Sequence, residues 1–129
     1  MASPEEWLRN AIESGGGCPA FPVESPEKQL PPFVVFSLES ETTEIDAVGP
    51  VGWVESVFGM DIYADTYAEI CVISAGVKAA VNNFSGVSHG ATIGHVRMND
   101  NADSAPVKFE GRSASTKVRQ QSYTILWQE

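Results

Sequence analysis

Three carboxylates crowd one short stretch of this chain: Asp61, Asp65 and Glu69 fall within the eleven residues MDIYADTYAEI, 60–70. Acids at that density are the raw material of a metal site or a general acid and base pair, provided that they converge on one point. Five other side chains could carry chemistry. His89 and His95 are separated by six residues in HGATIGH. On a strand that spacing leaves them on the same side but roughly 20 Å apart, too far to share a metal. Cys18 and Cys71 have no neighbouring cysteine with zinc spacing, and both read as free thiols, Cys71 as a small buried apolar residue. Ser74 has no evident base, and the phosphate-binding and nucleophile-elbow patterns are all missing from the sequence.

Whether the acids converge depends on the elements that carry them. VGWVESVFGMDIYA, 51–64, alternates with period two, so Val54, Phe58, Met60 and Ile62 point to the core. Trp53, Glu55, Asp61 and Tyr63 point the other way. From Asp65 the period becomes helical, with Ile70, Ser74, Val77, Val81 and Phe84 at steps of four and three over a predicted helix 65–84. Thr66 and Glu69 fit the T-x-x-E capping box, and Asp65 suits the positive end of the helix dipole. Two of the three acids therefore belong to a strand-to-helix seam, and Asp61 lies on a different face. The expectation is no catalysis, no metal and no cofactor. Only Ser56 and Ser74 interrupt an otherwise dry inward face.

The remaining elements follow from punctuation. Residues 1–14 read as a helix opened by Ser3, Pro4, Glu5 and Glu6, with Trp7, Leu8, Ala11 and Ile12 on one face, and Gly15-Gly16-Gly17 ends it. Residues 15–32, rich in glycine and proline, read as an arm. FVVFSLES, 33–40, reads as a strand, ETTEIDAVGP as a turn, 91–100 as a weaker strand, 99–116 as a long polar loop and 117–129 as a last strand. Gly86 is available as a left-handed cap of the second helix. The expected fold is α+β, a single domain over 1–129 with a mostly antiparallel four-stranded sheet and two helices packed on one face.

Composition narrows the partners. Residues 1–64 hold eleven acids and two bases, and residues 65–129 hold six of each, so the formal charge of −9 sits wholly in the first half. Such a chain does not grip nucleic acid through its phosphates, although it could line a wall to which they do not stick. No apolar run approaches the roughly 20 residues of a membrane helix, and the MASPEEWLRN start lacks the basic and apolar regions of a signal peptide. An intracellularly assembled protein with no membrane partner is the expectation.

LPPFVVF at 30–36, DIYA at 61–64, YAE at 67–69 and YTILW at 123–127, in that order and spacing, resemble the tail completion, or tail terminator, family of long-tailed bacteriophages. The resemblance covers residues 30–129. It implies a virion protein at the tail–head junction, assembled in the host cytoplasm as a ring, typically a homohexamer. Such a ring ends the tail tube and joins it to the neck and head, and double-stranded DNA passes through the hole without sequence-specific binding. Its implied partners are other copies of itself, the tail tube protein and a head-completion or neck protein. Trp53, Tyr63 and Phe109, aromatic residues that the core does not claim, are the candidate contact residues. The alternatives are a neck or head-completion connector ring and a small cytosolic ligand-binding domain.

Overall fold

The computed structural model describes residues 4–23, 30–46, 49–88, 90–107 and 116–128; for 43–46, 49–52 and 107 only the backbone is described. Two helices, α1 (Glu5–Gly16) and α2 (Tyr67–Val81), cover one face of a sheet. Its strands are β1 (Ala20–Pro22), β2 (Phe33–Asp46), β3 (Gly49–Ala64), β4 (Gly86–Ser88), β5 (Ala91–Val107) and β6 (Thr116–Gln128), in spatial order β1-β2-β3-β6-β5-β4. The sheet therefore has six strands, not the four expected, and it is mixed, because β1 runs parallel to β2 while every other pairing is antiparallel. The two additions are three-residue edge strands, too short to show a period. One of them lies inside the proline-rich segment.

Two strands are also longer than their hydrophobic pattern. β2 and β3 pair from Phe33↔Tyr63 out to Asp46↔Gly49, so residues 41–46, read as a turn, are strand. β5 pairs with β6 as far as Val107↔Thr116, so 99–107 is strand as well, and Phe109 lies outside the described residues. Main-chain hydrogen bonds sustain a ladder wherever a partner strand is present, and polar side chains on both faces do not prevent it. Within the covered zone the alternation holds: Phe58, Met60, Ile62 and Ala64 of β3 and Tyr123, Ile125 and Trp127 of β6 are buried under the helices.

α1 takes Pro4 as its N-cap residue and buries Trp7, Leu8 and Ile12. It does not stop at residue 14. Gly15 and Gly16 are helical, and Gly17, in the left-handed region at φ 71°, closes the helix by donating its N–H to the Glu13 carbonyl at 3.0 Å. The two helical glycines have a packing reason. A methyl group at Gly76 of α2 would run into the Gly15 carbonyl oxygen, and one at Gly15 would meet the Gly76 carbonyl and stand 2.7 Å from the Ala80 methyl. The helices cross backbone against backbone. This brings Trp7 into a stack with Phe84, ring centroids 4.7 Å apart.

α2 is shorter than the expected 65–84. It ends at Val81, and Asn82 and Asn83 fasten the exit to β5: the Asn82 side chain accepts from Met98 N–H at 3.0 Å, and Asn83 N–H donates to the Val96 carbonyl at 2.9 Å. Gly86 is not the cap; it opens β4. Alanine is favoured over glycine inside a helix by about 1 kcal/mol, yet the crossing leaves no room for it. Gly76→Ala is expected to destabilise the fold by about 1–3 kcal/mol in urea titrations. A variant as stable as the parent would disprove the close crossing.

Candidate functional site

The seam holds together as a helix start. Thr66 Oγ1 accepts from Glu69 N–H at 3.1 Å, and Glu69 Oε1 accepts from Asp65 N–H at 3.3 Å. The glutamate thus reaches back to the residue before the cap, and Thr66, not Asp65, is the cap residue. Asp61 pairs with Val35 and Gln120 on the sheet face away from the helices, so the three acids do not converge. Among the described residues no three His, Cys, Asp or Glu side chains are grouped to hold a metal ion.

A different polar group, which the sequence reading passed over, lies between α2 and the strands below it. Arg119 of β6 donates from Nε to Asp103 Oδ1 at 2.8 Å, from Nη1 to Ser74 Oγ at 2.9 Å and from Nη2 to Tyr67 Oη at 3.0 Å. The Tyr67 hydroxyl donates in turn to Asp103 Oδ2 at 3.3 Å, and the guanidinium lies 5.4 Å from the Tyr67 ring centre. Beside it Gln121 Nε2 donates to the Ser74 carbonyl and to Asn101 Oδ1, both at 3.3 Å, and Tyr123 Oη donates to Gln121 Oε1 at 2.8 Å. The Arg119 hydrogen bond holds the Asp103 carboxyl below the usual carboxylate range, while burial pushes the Tyr123 phenol up. Ser74 donates its own proton to the Cys71 carbonyl at 3.2 Å. It is thus committed to structure, with an arginine where a nucleophile would need a base. Ser56, the other polar inward residue, accepts from Trp127 Nε1 at 2.9 Å and donates to Glu41 Oε1 at 3.0 Å.

One sequence signal pointed to this group. Arg119 and Gln121 share the parity of Tyr123, Ile125 and Trp127, so β6 alone places two polar side chains beneath a helix. Asp103 and Asn101 carried no such signal, because their segment read as a loop.

No described helix lies over the opposite sheet face. A groove of about 480 Å³ crosses it from Val23 and Val35 through Asp61 to Gln120 and Asp100. Two of the candidate contact aromatics, Trp53 and Tyr63, flank this face, each packed against its own chain. Trp53 is half-buried, its ring lying where a side chain at Gly94 would be. Tyr63 stacks on Phe33 at 4.7 Å, with Phe21 on the far side of Phe33 at 6.4 Å. Burial, and then the neighbouring Asp61 charge, raise the Tyr63 phenol. His95 is exposed, and His89 lies outside the described residues. Both cysteines are free thiols, as expected, but Cys71, expected to be buried, is half-buried, and Cys18 is the buried one. No described helix is long and apolar enough to cross a membrane.

No family model matches the chain, and no curated protein does. Solved structures match its fold. One is a chain from the virion of a native gene transfer agent particle, 13% identical, with a TM-score of 0.59 over 95% of this chain and 84% of that one. A second solved chain, 17% identical, gives 0.53 over 94% and 89%. At these identities the likeness is one of fold.

Two measurements check the polar geometry. Asp103 is held lower in the folded than in the unfolded chain, so its stabilisation is present above about pH 4 and is lost as pH falls through the folded value. Asp103→Asn is therefore expected to melt lower at neutral pH and to lose part of its acid limb; superimposable acid limbs would remove the Arg119 contact from the account. Burial, and then the charges of Glu13 and Glu69, push the Cys18 thiol from 9.0 to about 11. That lowers its thiolate fraction about a hundredfold. Maleimide labelling of Cys18 in the native protein is expected to be slower than in urea by at least that factor, and equal rates would refute its burial.

Proposed function

We propose that this chain is a structural subunit of a virion, one copy of a ring at the head-proximal end of a phage tail that ends the tail tube and joins it to the neck. The observation that carries the reading is the shared fold: nearly the whole chain follows a chain of a gene transfer agent virion. The sequence resemblance at Leu30–Phe36, Asp61–Ala64, Tyr67–Glu69 and Tyr123–Trp127 points the same way, and those segments fall in β2, β3, α2 and β6, the centre of the fold.

Charge suits a ring through which DNA passes. Glu39, Glu41, Glu44, Asp46 and Glu55 belong to the β2–β3 hairpin, whose residues 39–55 include no base. Beyond Val54↔Trp127 no described residue of β6 lies beside that hairpin, and its outer part, which carries Glu44 and Asp46, projects past the described body of the sheet. Turned toward the lumen, such an element repels phosphates and lets DNA slide. The partners in this reading are neighbouring copies, the tube below and the neck protein above.

Counting copies of the chain in purified particles by quantitative mass spectrometry tests the proposal. About six per particle is expected for one closed cyclic ring. About twelve would place the chain in a neck or connector ring instead, and absence from intact particles would overturn the virion role.

A further inference from the structure

We infer that neighbouring copies associate by laying α2 of one copy across the open-face groove of the next, a contact that deepens the ring reading and rests on it. The two helices of one layer present unlike outer surfaces. α1 turns Glu5, Glu6, Arg9 and Asn10 outward, as a solvated helix does. Beside it α2 turns out Ala68, Val72, Ala75 and Ala79, with Val72 72% exposed. A helix apolar on both sides is one whose outer side is covered in its working state. From Ile70 to Val81 its only charge is Lys78, exposed on the flank of that face, and this stretch contains no acid.

The groove has the complementary character. Val23, 76% exposed, and Val35 line it toward one end; Glu39, Asp61 and Asp100 add three carboxylates, and among the described residues no base lines it. Its length also fits. Ser37, Gly59, Ser122 and Asp100 form one row across β2, β3, β6 and β5. Three strand spacings make that row about 14 Å long. Ala68 to Lys78 rises about 15 Å along the helix axis. A helix lying across the strands with Ala68 and Val72 over the valine end carries Lys78 to Asp100 at the β5 end. The alanines permit close approach. Donor and acceptor surfaces lie on opposite faces of the sheet, so each copy gives one and receives one. That contact is heterologous, the kind from which rings close.

Sedimentation velocity of the full chain from about 10 µM to about 1 mM tests this, with circular dichroism to show that each variant is folded. The parent is expected to self-associate. Val72→Asp and Lys78→Glu should each weaken association about tenfold or more, and Lys78→Glu combined with Asp100→Lys should return it to within about threefold of the parent. A parent that stays monomeric throughout, single variants that associate like the parent, or a charge exchange that stays weak would each overturn the contact. Six copies in the particle together with unaffected variants would sink this contact and leave the ring. A rescued charge exchange in a chain absent from particles would do the reverse.

Discussion

The arrangement of the helix layer hangs on one crossing, where the backbone of α1 at Gly15 rests on the backbone of α2 at Gly76. Helices that meet through side chains stand 8–10 Å apart; glycine against glycine lets them come nearer. α1 can therefore sink beside α2, fill the core with Leu8 and Ile12, and bring Trp7 onto Phe84. Gly16 continues the fit, since an added methyl would sit 3.1 Å from Val77 and 3.2 Å from Ile73. The left-handed Gly17 then turns the chain so that Cys18 and Ala20 enter the same core before β1 joins the sheet.

Where side chains were sorted by water, the sequence was readable. The even positions of β3, the stripe of α2 and the capping box at Thr66 could all be placed from spacing, because burial on one face imposes a period. Where the backbone alone holds the structure, it was not. Glu41-Thr42-Thr43-Glu44 and Asp100-Asn101-Ala102-Asp103-Ser104 look like loops, yet each is strand because a partner strand runs alongside. β1 and β4 were invisible for a related reason, since three residues cannot display a period of two. The triple glycine was read as a stop signal when two of its members mark the helix contact. Composition reports that a side chain is missing but not what occupies the space.

The seam and the polar group under α2 show the same limit from the side of chemistry. Asp61, Asp65 and Glu69 are neighbours in sequence and serve two different faces. Asp103, Arg119, Ser74 and Tyr67 are scattered in sequence and form one connected set. Each strong donor of that set finds an acceptor, so the group fastens the first half of α2 to β6 and β5, and leaves no unpaired base to activate a hydroxyl. Chemistry-bearing residues that satisfy one another make a fixture, whatever their types.

The projecting hairpin separates two properties that are coupled in most of the molecule. Its outer pairs are held by main-chain bonds, and Glu41, the acid that serves the core through Ser56, belongs to its base. Charge beyond that base can be rewritten, sign by sign, while the register of the ladder and the body beneath stay as they are. The body resists change because a methyl group is too large at the helix crossing. The fold thus joins a frame that tolerates little change to a tip whose charge is free to vary.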